Sequence, residues 1–129
     1  MDIYNKWTPV EGIKKELWVQ ETCDDKNGLK ILLNEGLTTT KILCIVFKRY
    51  FLFRNIDESG RIKLWAEATF EDREWPLCIT TSSKLINWLH EESDGIYDKN
   101  NMTHYLIKTG TDVIDVLTDQ VPEVSWYDK

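Results

Sequence analysis

A histidine followed by a glutamate on a helix is the first half of a zinc-protease signature, and the segment HEESD (90–94) opens in that way. Such a site needs H-E-x-x-H, because residues four apart on a helix bring both imidazoles to one face while the glutamate polarises the water. Position 94 is aspartate instead. His90 and Asp94 still form a pair four apart, with His104 as a third ligand to consider. Gly95, however, marks a helix already ending at that point. HEESD is therefore read as a charged helix end, with neither a metal nor a cofactor expected.

The nucleophiles give no stronger signature. Cys78 in PLCITT and Cys44 in ILCIVF lie in apolar stretches, where a buried thiol has a raised pKa and is inert. Cys23, in ETCDDKNG, is surrounded by acids that disfavour the thiolate. The six glycines form no G-x-S-x-G elbow, phosphate-binding loop or dinucleotide fingerprint. In IDESGR (56–61), Asp57, Glu58 and Arg61 cluster around a glycine, an arrangement that fits a functional loop and ordinary turn chemistry alike. The enzyme reading that survives is a small hydrolase or ligand-binding domain with a cleft near His90, His104 and Asp57/Glu58.

The elements that must position these groups read as α+β. Thr8, Pro9 and Glu11 carry helix-start signals, which predict a short helix over 8–18. Two apolar segments in 17–35 flank Asn27-Gly28, a hairpin signal. Residues 41–55 read as a buried strand that continues around a bend, and 75–81 as a short strand. In 61–70, Ile62, Leu64, Ala66, Ala68 and Phe70 alternate with Lys63, Trp65, Glu67 and Thr69, which predicts a half-exposed strand. SSKLINWLHEES (82–93) is the best helix, capped by Ser82 or Ser83, with Leu85, Ile86, Trp88 and Leu89 on one face. A hairpin about Thr109-Gly110 and a last strand at 123–127 complete the chain. The acids at 112, 115 and 119 also fit helical spacing, but Val113, Ile114 and Val116 favour strand. The sum is one α+β domain over 1–129, a mostly antiparallel sheet with one or two helices packed on one face.

Composition narrows the function classes. The chain has 129 residues and a net charge of −6. Residues 1–56 carry nine Lys/Arg against seven Asp/Glu, and residues 57–129 carry seven against fifteen. Nucleic acid, which needs clustered cations, is a poor fit; the basic FKRYFLFR (47–54) reads as one charged face of a strand. The first residues, MDIYNKWTPVEG, lack the pattern of a signal peptide, and ILCIVF (42–47) is too short to span a membrane. Three widely spaced cysteines fit a reducing cytoplasm. The acidic second half carries Trp88, Tyr97, Tyr105, Trp126 and Tyr127 among its carboxylates, and acids with aromatic anchors suit a protein interface. The partner-binding candidates are Asp112, Asp115, Asp119, Glu91, Glu92, Trp126 and Tyr127.

An acidic, Trp-rich, cysteine-poor chain with no catalytic signature resembles the bacterial immunity proteins that neutralise toxin domains. The resemblance is one of profile across the whole chain, and no motif carries binding residues over. It implies a non-enzymatic inhibitor that binds a basic toxin domain, such as a nuclease, by acidic surface mimicry. An adaptor or structural subunit with the same surface is a third reading.

Overall fold

The computed structural model describes residues 2–37 and 39–128. Among them, ten strands and two α-helices follow one another along the chain. The strands of the first part are β1 (Ile3–Lys6), β2 (Trp18–Asp25), β3 (Gly28–Asn34), β4 (Lys41–Phe47) and β5 (Leu52–Asp57). Helix α1 (Ile62–Glu67), strands β6 (Thr69–Phe70) and β7 (Leu77–Thr80) and helix α2 (Lys84–Glu92) follow. Strands β8 (Thr103–Lys108), β9 (Asp112–Thr118) and β10 (Glu123–Asp128) close the fold.

Two sheets result, one in the order β5-β9-β8-β7-β1-β6 and the other β10-β4-β3-β2. Every pairing is antiparallel except that of β1 with β6. The sheets face each other through one core, with Leu29, Ile31, Leu33, Leu43, Ile45 and Phe47 from the smaller sheet. Leu77, Tyr105, Ile107, Ile114 and Val116 come from the larger. The larger sheet is covered on its other face too. Tyr4, Cys78, Leu106 and Val113 pack with Leu64, Trp65 and Ala68 of the α1 region, and Leu117 packs with Ile86 and Leu89 of α2. The α+β expectation of a mostly antiparallel architecture with helices on one face holds, in three layers.

Burial on both faces explains β9. A strand alternates its side chains between faces, so Ile114 and Val116 enter the sandwich while Val113, Asp115 and Leu117 face the helices. Residues 112–118 are strand, because only an extended chain can feed both apolar layers from consecutive residues.

Other expectations need correction. Residues 8–18 form no helix. Gly12 stands at φ +86°, a left-handed conformation that breaks the helical path. Trp7, Val10, Ile13 and Leu17 still reach the sandwich core from an irregular chain, so their burial needs no helix. Its backbone is tied down elsewhere, the Trp126 indole N–H donating to the Glu11 carbonyl at 2.8 Å and the Gly110 amide to the Leu17 carbonyl at 3.1 Å. Residues 61–70 are mostly helix rather than strand. Leu64, Trp65 and Ala68 share a helical face against the sheet, whereas Ile62, which alternation would bury, is exposed. Residues 41–55 divide into β4 and β5, which belong to different sheets.

The β2–β3 hairpin forms, with its two-residue turn at Lys26-Asn27 and Gly28 already in the ladder opposite Asp25. Gly28 sits at φ +111°, and a Cβ there would lie 2.5 Å from the Phe47 carbonyl oxygen. Glycine is required there both by this backbone conformation and by the close approach of the two backbones. Among the described residues no helix is long and apolar enough to cross a membrane.

Candidate functional site

Asp115 is the one acid in the apolar run of β9, and the strand's alternation points it at the helix layer. It is 0% exposed. A carboxylate in such a place must be paired. Arg54 stands directly opposite on β5 and donates from Nε to Asp115 Oδ2 at 2.8 Å. Arg61, at the N-terminus of α1, donates from Nη1 to the same oxygen at 2.6 Å. His104, on the neighbouring β8, places Nε2 2.6 Å from Oδ1. Burial alone would raise the Asp115 pKa. The His104 hydrogen bond and charge, and then the Arg61 and Arg54 charges, outweigh it and hold the carboxyl well below the usual carboxylate range.

Beyond His104 the chain of contacts continues to Ser83, whose Oγ lies 2.9 Å from Nδ1. Serine, histidine and aspartate therefore form a chain like that of an acyl-transfer triad, but with the two ring nitrogens exchanged, since there Nε2 faces the serine and Nδ1 the aspartate. The surroundings do not suit that chemistry. Ser83 is the N-cap of α2: its oxygen accepts the Ile86 amide at 3.2 Å, and the residue is only 2% exposed. Its hydroxyl hydrogen donates to His104 Nδ1 when the ring is neutral, leaving the Nε2 hydrogen for Asp115. The hydroxyl is committed to the fold, out of reach of a substrate carbonyl.

Above this cluster, between α1 and α2, lies a cleft of about 630 Å³. Arg54, Arg61 and His104 contribute to its floor, and Ser59 and Gly60 to its rim. Tyr4, Leu64, Leu85 and Trp88 line its sides. The IDESGR segment thus serves in two ways. Asp57 caps the short turn Glu58–Gly60, accepting from Ser59 N at 2.9 Å and Ser59 Oγ at 2.7 Å. The turn then delivers Arg61 to the cluster.

Several site expectations change. Asp115 does not join Asp112 and Asp119 at a partner surface; it is buried, because residues 112 and 115 of a strand face opposite ways. Asp112 accepts the Asn55 side-chain amide at 3.0 Å, and Asp119 pairs with Arg49. Trp126 is partly buried on the sandwich core, its indole N–H bound to the Glu11 carbonyl. Tyr127 is exposed on the outer strand of the smaller sheet. Glu91 and Glu92 are exposed on α2.

The expected cleft near both histidines contains His104 without His90. The latter's Nδ1 lies 3.1 Å from the Tyr97 carbonyl and 3.2 Å from the Lys99 amide, where it braces the loop after α2. Asp94 follows the helix at φ +53°, so it does not continue the helical face of His90. Among the described residues no three His, Cys, Asp or Glu side chains gather as a metal-ligand set.

Trp88, grouped by spacing with core residues, is 52% exposed on the cleft wall. The sequence does carry a signal for the Asp115 cluster. An acid flanked on both sides by apolar residues in a strand buried on both faces has to find cations.

The cysteines separate by environment. Cys78 is buried, and burial pushes its thiol up to about 11, against the opposing charge of Lys108. Burial also raises Cys44, while Cys23 is exposed on β2. Labelling with a thiol reagent, followed by peptide mass spectrometry, is expected to modify Cys23 first and Cys44 more slowly. Cys78 should react only as the protein unfolds. Native-state labelling of Cys78 at the Cys23 rate would contradict the burial of β7.

Fold and site together define a three-layer α+β protein with a buried ion cluster beneath an open cleft. Comparisons with protein-family models, curated proteins and solved structures find no match for the chain.

Proposed function

We propose that the protein is a non-enzymatic binding protein of the cytoplasm, an immunity-type inhibitor that captures a basic toxin domain through the end of α2 and the loop after it. The carrying observation is a set of apolar side chains left exposed among acids. Ile96 is 82% exposed, and Tyr97 is exposed beside it, with Glu91, Glu92, Asp94 and Asp98 around them. Ile96, Tyr97 and Asp98 share a surface depression of about 500 Å³ with Phe51 and with the Arg49–Asp119 ion pair. Tyr97 is fixed there by Phe51, their ring centres 4.7 Å apart, and by the His90 contact to its carbonyl.

An interface of this kind gains affinity from held apolar anchors, and its acids steer a cationic partner. The commitment of Ser83 to helix capping supports binding over acyl transfer. The toxin as target comes from the resemblance of profile alone.

Affinity capture from the native cell extract tests the reading. At low salt the wild-type protein is expected to retain a basic protein in stoichiometric amount. Ile96→Asp should lose it, by about 2 kcal/mol or more if Ile96 is an anchor. Reversal of Glu91 and Glu92 to lysine should slow association, with an effect that fades as salt screens exposed charges beyond about 8 Å. Retention of no basic protein, or equal retention by wild type and Ile96→Asp, would reject this surface.

A further inference from the structure

We infer that the cleft between α1 and α2 is a binding site for a small organic carboxylate, its head group on Arg54 and Arg61 and its apolar body against Leu64, Leu85 and Trp88.

The charge of the floor makes the argument. One carboxylate, Asp115, faces two guanidinium groups, and both donate to its Oδ2. The cluster therefore keeps a positive charge in excess at the base of the cleft, with Arg61 buried and Arg54 half-buried, and a partly desolvated excess charge favours a counter-ion. The other acids at the cleft, Asp2 and Glu67, are balanced by its two lysines, Lys63 and Lys84, which leaves the excess positive. Asp2 accepts the Lys84 amide at 3.0 Å and the Tyr4 hydroxyl at 3.4 Å, and Glu67 lies 3.8 Å from the Lys84 ammonium.

Donors remain for a ligand. Arg61 is only 9% exposed and uses one nitrogen on Asp115. No fully enclosed side-chain nitrogen or oxygen among the described residues lacks a partner. The remaining Arg61 nitrogens therefore keep some contact with solvent, and this residue lines the cleft. The Arg54 side chain is 39% exposed and likewise spends only its Nε on Asp115. Planar guanidinium forks match a planar carboxylate, and a single excess positive charge is met by a monoanion. A cavity of about 630 Å³ falls within the size of small-molecule sites, which combine apolar walls with a few polar groups that fix orientation.

The probes are benzoate and its uncharged isostere benzamide, followed by NMR of the arginine Nε–H groups and backbone amides. Benzoate is expected to shift Arg54, Arg61 and Leu85 signals saturably. Benzamide should bind about tenfold or more weakly, since hydrogen bonds to charged groups contribute about 1.5–3 kcal/mol. Arg54→Gln, at the exposed edge of the cluster, should weaken benzoate by a similar factor, with its own spectrum reporting whether the fold is kept. The two-probe comparison in the wild-type protein needs no variant. Non-saturating shifts with benzoate, equal binding of benzamide, or unchanged affinity in folded Arg54→Gln would overturn the assignment.

Discussion

Replacing Asp115 by asparagine is expected to lower stability by about 3–5 kcal/mol, the usual consequence of removing one partner from a buried ion pair. The Coulomb attraction lost is only part of the effect. Arg61 would remain in a site with little access to water, and its guanidinium would have no anion. Arg54, at the more exposed edge, would suffer less, because its head group can turn to solvent. His104 would keep a hydrogen-bond acceptor in the amide oxygen, so the β8–β9 pairing should survive better than the packing of α1. Denaturant unfolding of the two proteins measures the difference.

The same carboxylate sets an acid limit. Its folded-state pKa lies below that of an unfolded aspartate, roughly 3.9. The stability it contributes is therefore fully present above that value and is lost as pH falls from there toward the folded pKa. Unfolding free energy should decline below about pH 4 in the wild type, and the Asp115→Asn variant should lack the share of that decline due to this carboxylate.

The second large effect is expected at the centre of the sandwich. Tyr105 packs edge-on against Trp7 and Phe47, with ring centres 4.8 Å and 5.4 Å away. It lies on β8 between the two sheets, and its removal would open space that rigid strands on both sides cannot close. Tyr105→Ala is expected to destabilise by about 3–5 kcal/mol. Tyr105→Phe should cost less than about 1 kcal/mol, because the hydroxyl has no hydrogen bond to another of the described residues and the ring contacts are kept. A loss in the phenylalanine variant as large as in the alanine variant would mean that the hydroxyl, and not the ring, holds the site.

How much of this is readable from residues alone depends on whether the cause is local. Helix α2 is legible because its cap at Ser83, its apolar spacing and Gly95 at φ +82° are all encoded within a few positions. Strand β9 is legible from its β-branched residues, which extended backbone accommodates. The segment 8–18 misleads because cap-like residues are present but a left-handed Gly12 and core contacts from an irregular chain prevail. Helix α1 misleads for a different reason: in only six residues, alternation and helical spacing select overlapping apolar positions, and tertiary packing decides between them. The ion cluster is the least legible feature. Arg61 and Asp115 are 54 positions apart, and nothing local joins them. Only the oddity of an acid inside VIDVL points to it, and an acid in an acidic half of the chain reads first as a surface charge.

A buried Asp115 also changes how the acidic half of the chain is understood. The charge does not meet a partner; it holds together the floor of a cleft whose cations outnumber it. Glu91, Glu92, Asp94 and Asp98 are exposed at the end of α2 and in the loop after it, beside Ile96 and Tyr97, on the surface proposed above for a partner. The most direct test of this arrangement follows the Asp115 side-chain carboxyl carbon by NMR during an acid titration. The ion cluster predicts a single ionised state through pH 5 and a midpoint below the roughly 3.9 of an unstructured aspartate. A midpoint at or above that value would contradict the pairing with Arg54, Arg61 and His104, and with it the account of the cleft.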